Sequence, residues 1–287
     1  MKKIILSISL FAAMVVGFVA CNKDNTTSSN GLDKTSLIVY LTDAPVSFDT
    51  VNLDIKYVEV KLDTNAAHKD DDTYGDNDVD SLNNNKRHDG YGVWDTLTFT
   101  PSIINVAAFR NGIDKMIATG TVTGTIRKIR LTLGTNNSLV KNGISYPLTV
   151  RSRYVYVDLK KKHHQQDSTS MASTAIKIDV DLYRSIKYIN GSYYFLPYLK
   201  PFNDVNFAAV SGNVLPAESR PFITVYNATD TNYGVADRYG YYKIRGLQSG
   251  TYSINFKGNN GYNDTTISNV VVSVGTVTKV ATVTLRK

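Results

Sequence analysis

Ile176, Ile178, Val180 and Leu182 alternate strictly with Lys177, Asp179 and Asp181. A period of two sends alternate side chains to opposite faces of an extended chain, so this segment predicts a half-buried β-strand. Leu37, Val39 and Leu41 alternate in the same way before Thr42-Asp43-Ala44-Pro45 interrupts the run, and residues 121–133 and 148–159 read as further strands. In VNLDIKYVEVKL, Val51, Leu53, Ile55 and Tyr57 share one parity, whereas Val58, Val60 and Leu62 share the other. That change of face predicts a bulge, a sharp twist or burial on both sides. Residues 102–116 differ: Ile103, Val106, Ala107 and Arg110 have helical spacing, which predicts one short helix after Pro101. Nineteen tyrosines beside one tryptophan suit a strand-rich chain, because aromatic rings pack well on a pleated surface.

The expected fold is mainly β, in two domains. Residues 35–203 form a β-rich domain with the short helix, and residues 204–287 form a small β-sandwich. In the second, VSGNV and PFITVYNATD supply strands, Tyr242 and Ile244 share one parity, and Gly246 and Gly250 flank a turn before Tyr252, Ile254 and Phe256. Closing strands are expected at 266–272 and 276–285; so many short strands and tight turns are the mark of a sandwich. Residues 64–92 and 160–173 are polar and read as exposed loops, since neither carries enough apolar surface to offset its ordering entropy.

The N-terminus carries an address. Lys2 and Lys3 precede a nearly unbroken apolar run from Ile4 to Val19, too short for a comfortable membrane span of roughly 17–25 residues. It reads as a signal peptide over residues 1–20. The single cysteine, Cys21, follows directly after Phe18-Val19-Ala20, and residues 21–34 read as a flexible tether. Removing the leader lowers the formal charge from +7, less two lysines, to about +5, and no long basic stripe calls for a nucleic-acid partner.

Chemistry-bearing motifs are sparse. Asp76, Asp78 and Asp80 in the acidic insertion partly imitate a calcium loop. However, Ser81 stands where the turn glycine is needed and Arg87 where the bidentate glutamate belongs, so a solvated loop is the competing reading. His68, His88, His163 and His164 form no zinc pattern, and Gly134 and Gly143 belong to no phosphate-binding loop. Asp43 reads as a turn-fixing side chain. No catalytic residue, metal or cofactor is assigned. The best binding clue is aromatic: Tyr193 and Tyr194 in one cluster, Tyr239 and Tyr241 in another, offer faces for a sugar ring or a protein partner, with packing as the alternative. Tyr242 and Tyr252 fall on the core parity.

Three resemblances follow. Val19-Ala20-Cys21 resembles the lipobox of bacterial lipoproteins, with Phe18 in place of the usual leucine. It implies acylation of Cys21 and anchoring in the cell envelope, at the outer membrane. Leu41-Thr42-Asp43-Ala44-Pro45, VNLDIKYVEV, Ile129-Arg130-Leu131 and the segments 176–182 and 195–201 resemble an uncharacterised family of bacterial lipoproteins, the domain of unknown function 4382. Asp237, Gly240, Tyr242, Gly246-Leu247, Gly250 and Tyr252, opened by Val210, Gly212 and Val214 and closed by Gly275, resemble the carboxypeptidase regulatory-like domain, a non-catalytic transthyretin-like sandwich. Together they imply a non-enzymatic, lipid-anchored envelope protein that binds or adheres, with carbohydrate or an envelope protein as partner. A structural subunit of a surface complex, or a hydrolase with a site built from loops, are the alternatives.

Overall fold

The computed structural model describes residues 34–44, 48–63, 92–159 and 175–287. The leader, the tether as far as residue 33 with Cys21, Asp76, Asp78 and Asp80, all four histidines and the Asp43 side chain lie outside the described residues, while Lys34 already belongs to a strand. What is described is mainly β-structure with one single-turn α-helix. The buried apolar side chains form two clusters, one running from Leu37 to Phe195 and one from Ala208 to Leu285.

Two sheets enclose the first cluster. One runs in the order Leu199–Phe202, Ala175–Asp181, Lys34–Ala44, Lys115–Thr123, with the two central strands parallel. Ile176, Ile178 and Val180 are buried, as their alternation requires. The other sheet has nine strands centred on Thr50–Asp63, a strand long enough to pair with four neighbours. Its register against Thr125–Leu133 slips between Ile55 and Tyr57. This is the bulge the parity change predicts: Val51, Leu53 and Ile55 face the core before it, Val58, Val60 and Leu62 after it, and Tyr57 turns outward.

Three expected elements divide differently. Residues 121–133 are not one strand: Lys115–Thr123 belongs to the smaller sheet and Thr125–Leu133 to the larger. Gly124, at φ 108°, makes the crossing, a conformation closed to residues with a β-carbon. Residues 148–159 split likewise into Ile144–Val150 and Tyr154–Asp158, where the Ser152 hydroxyl bonds both the N–H and the carbonyl of Tyr154. The helix expected after Pro101 is instead the strand Ser102–Asn105, followed by a single 3₁₀ turn, Val106–Phe109. Pairing of Ile104 with Leu53 outweighs the helical spacing, and the turn alone suffices to bury Val106 and Ala107. The α-helical turn is Leu182–Ser185, capped by Asp181, whose carboxylate accepts the Arg184 N–H at 2.9 Å.

Two further sheets share the second cluster. Tyr241–Leu247 and Ala208–Leu215 pair in one, extended by the short pieces Val277–Lys279 and Val283–Thr284. The other runs Thr231–Val235, Phe222–Tyr226, Gly250–Lys257, Thr265–Val272. Tyr242, Ile244, Tyr252, Ile254 and Phe256 fill the space between. The turn before Tyr241 is fixed by Asp237, whose Oδ1 accepts from the N–H groups of Tyr239 at 2.8 Å and Tyr241 at 3.0 Å. Gly240 in this turn has φ 86°, and a β-carbon there would lie 2.2 Å from the Val214 carbonyl oxygen.

Candidate functional site

The nine-stranded sheet turns its apolar side chains inward, which leaves its other face to polar and aromatic residues. Register sets their positions. Tyr57, Thr132 and Tyr154 form one row; Thr96, Glu59, Arg130 and Tyr156 form the next; Trp94, Lys61, Lys128 and Asp158 form a third. Side chains directly opposite on paired strands share a face, so residues from four separate segments meet on one surface.

Its centre is an ion pair. Arg130 Nε and Nη2 donate to the two Glu59 oxygens at 2.8 and 2.6 Å, and the Thr132 hydroxyl donates to Glu59 Oε2 at 3.0 Å. The Arg130 bond is the largest influence on Glu59 and outweighs the cost of its partial burial, holding its carboxyl below the usual carboxylate range. The group is an anchored anion, unsuited to general-acid chemistry at neutral pH. The Arg130 guanidinium also stacks between rings, 4.1 Å from the centre of Trp94 and 5.0 Å from that of Tyr154. The Arg153 guanidinium also lies 5.0 Å from the centre of the Tyr154 ring. Tyr156 is 6.1 Å from Trp94 and 6.4 Å from Tyr154, centre to centre. Lys61 and Lys128 are buried beside them, while Tyr57 and Tyr156 remain 55% and 39% exposed. The three rings gather around one arginine with their planes tilted, Tyr156 at 48° to Trp94 and 41° to Tyr154.

A second polar cluster lies where the two apolar clusters adjoin. Arg245 donates to Asp114 at 3.1 Å and to the Thr42 hydroxyl at 2.6 Å, and Lys177 pairs with Asp114 at 2.7 Å and with Asp204. Arg184 donates to the Thr231 carbonyl at 2.9 Å and stacks 3.8 Å from Tyr198. Asp179 lines a polar cleft of about 20 Å³ with Thr42, Asn232 and Arg245. Burial, reinforced by the charge of Asp181, raises its pKa to about 7 against the pull of Lys200, Arg245 and Arg184. Among the described residues, no three His, Cys, Asp or Glu side chains are grouped to hold a metal ion.

The tyrosines expected to bind separate into different environments. Tyr239 is 69% exposed beneath the Arg238 guanidinium, and Tyr241 is exposed beside it. Tyr194 is half-buried, with Arg151 5.3 Å from its ring. Tyr193 takes the packing alternative: it is buried, edge-on to Phe48 and Tyr146 and tilted against Tyr188. In the strand Ser192–Phe195 it shares the inward parity of Phe195, so its ring belongs to the core. Trp94, Arg130, Tyr154 and Tyr156 went unassigned in the sequence. The one available signal is that the sole tryptophan stands next to the long polar insertion.

Residues 34–197 match the model of the family described as Domain of unknown function (DUF4382). No curated protein matches the chain. Among solved structures, a type II cohesin-X-dockerin interface mutant from Acetivibrio cellulolyticus is 23% identical over 27% of this chain and 56% of that one, with TM-score 0.23. This chain thus spans little more than half of that structure's length. GBS52, the minor pilin of Streptococcus agalactiae, is 10% identical over 88% of this chain and 96% of its own, with TM-score 0.21. A mutant of the shaft pilin spaA from Lactobacillus rhamnosus GG is 9% identical over 90% and 98%, with TM-score 0.23. Scores this low assign no activity.

Proposed function

The chain belongs to the family described as Domain of unknown function (DUF4382), and from that premise we propose that it is a non-catalytic interaction module of the bacterial cell envelope. Acylation of Cys21 holds it at the outer membrane, and the face around Trp94 binds carbohydrate. The observation that carries the binding role is the Trp94–Arg130–Tyr154 stack over the Glu59 carboxylate. Rings offer apolar faces to the C–H side of a sugar, while the tyrosine hydroxyls and the rim charges offer hydrogen bonds to its hydroxyl groups. Tyr239 and Tyr241 form a second, smaller aromatic surface in the same role.

In this reading residues 35–203 and 204–287 are separate domains, supported by the two buried clusters that stop at Phe195 and resume at Ala208. The second is a carboxypeptidase regulatory-like, transthyretin-like sandwich, supported by two sheets around one core and by the Asp237–Gly240 turn. The apolar leader and the solitary cysteine support the anchor.

A panel of glycans and envelope extracts tests the binding role with the full chain and the Trp94→Ala, Tyr156→Ala and Tyr239→Ala/Tyr241→Ala variants. Glycan capture that weakens at least tenfold in the Trp94 and Tyr156 variants supports it. Capture of a single envelope protein, unaffected by these changes, moves the reading to an assembly subunit. For the anchor, Cys21→Ser is expected to shift the protein from the membrane to the soluble fraction; an unchanged distribution sinks acylation.

A further inference from the structure

Lys200, on the strand Leu199–Phe202, reaches from the first body into the second. Its Nζ donates to Asp230 Oδ1 at 2.7 Å and to Asn232 Oδ1 at 2.8 Å. Asn232 is buried and the Lys200 side chain is 23% exposed, so amine and carboxamide meet where little water competes. Asp179 stands opposite Lys200 in the strand register and lines the same cleft as Asn232. Asp230 Oδ2 is buried and has no hydrogen-bond partner among the described residues. The amine and the carboxamide are therefore in direct contact, with one carboxylate bonded to the amine and a second lining the cleft that the carboxamide also lines.

We propose that Lys200 and Asn232 join in an intramolecular isopeptide bond that links the two β-rich bodies covalently. The amine nitrogen attacks Cγ of Asn232, the Nζ–Cγ bond forms, and the Cγ–Nδ2 bond breaks. Lys200 enters as an ammonium and keeps one of its three protons in the new amide. The other two pass to Nδ2, which leaves as ammonium, so atoms and charge balance with no outside reactant and no change of oxidation state. Asp230, hydrogen-bonded to Nζ, takes the first proton, frees the lone pair, and passes that proton to the ammonia as it leaves. Asp179 gives a proton to the departing nitrogen and recovers one from the amide nitrogen. Its burial keeps it protonated to about pH 7, the state a proton donor needs. Asn232 is the acceptor because its neutral carboxamide keeps an electrophilic carbon, whereas the Asp230 carboxylate is charged and paired. Attack on an amide is slow in water, and the fixed approach of Nζ offsets part of that barrier through effective concentration.

Chymotryptic digestion of the denatured full chain isolates the bond. Cleavage at aromatic residues releases Leu199–Phe202 and residues 227–233 as two peptides, or as one branched peptide lighter than their sum by one ammonia. The branched peptide is expected from the wild-type chain, and two separate peptides from Lys200→Arg and from Asn232→Ala. Asp179→Asn preserves shape and is expected to leave the peptides unlinked, with circular dichroism verifying the fold. Separate peptides from the folded wild-type chain overturn the proposal, as does a link to Asp230 with loss of water. A link that forms undiminished in Asp179→Asn overturns the role given to Asp179.

Discussion

Tyr242 is fully buried, and its hydroxyl finds no hydrogen-bond partner among the described residues. Its ring packs edge-on to Phe256 at 5.6 Å, a contact that phenylalanine would keep. Tyr242→Phe therefore deletes only the oxygen. An unsatisfied buried polar group costs about 1–3 kcal/mol, and the dispersion contacts of one lost atom return a few tenths to about 1 kcal/mol. The net expectation is a gain in stability of about 1 kcal/mol, or roughly 4–8 °C in melting temperature if the second body melts alone and roughly 2–4 °C if the chain melts as one. Alkaline pH supplies an independent readout. Burial raises the phenol's pKa in the folded state above its ordinary value near 10. The unfolded chain then loses the proton first, so stability falls as pH rises beyond about 10. The Phe variant lacks this loss. Urea titrations at pH 7 and at about pH 10.5 measure both effects. A variant less stable than wild type by more than about 1 kcal/mol at pH 7 would refute the reasoning, because the hydroxyl must then be satisfied.

Arg130→Ala removes both donors to Glu59 and the cation between Trp94 and Tyr154, with an expected cost of about 1.5–3 kcal/mol by urea denaturation at pH 7. Arg130 lowers the pKa of Glu59 in the folded state, so the contribution of this pair is present above the unfolded value near 4.5 and fades as pH falls through the lowered one. Wild type and variant should accordingly converge in stability toward about pH 3; a constant difference down to that pH removes the Glu59 explanation. Gly240→Ala places a β-carbon against the Val214 carbonyl at a positive φ, and a loss of at least about 2 kcal/mol is expected. A near-neutral result would mean that the turn opens at little cost. Asp181→Ala removes the helix cap and the partner of Arg184, with an expected loss of about 1–2 kcal/mol in the same assay.

Much of the β-structure was legible because burial and alternation report the same fact. Ile176, Ile178 and Val180 needed no neighbour to be read as a core strand, and the parity change around Tyr57 marked a break that the register resolves as a bulge rather than a twist or two-sided burial. Where a strand leaves one sheet for another, local pattern is silent. Residues on both sides of Gly124 alternate well, and only the partners, Lys34–Ala44 on one side and Thr50–Asp63 on the other, separate them. The inward turn of Tyr193 is hard to read for a related reason: the tyrosine pair fixes that the two rings diverge, while Phe195 fixes which one goes inside. The face around Trp94 was least legible. Glu59 and Arg130 are far apart in the chain, and each alone is an ordinary strand residue. Their pairing depends on a register that no single segment encodes.

The slip between Ile55 and Tyr57 has a consequence for how this domain tolerates change. Lys56 is the residue that the bulge absorbs, so a regular strand of the same length would turn half of its side chains to the wrong face. Either Glu59 and Lys61 would be driven among the valines and leucines, or Val51, Leu53 and Ile55 would be expelled into solvent. Deleting Lys56 removes the need for the bulge and leaves Val51, Leu53, Ile55, Val58, Val60 and Leu62 on one parity, whereas deleting Glu59 parts Val58 from the parity of Val60 and Leu62. Tolerance to a lost residue is thus concentrated at the bulge.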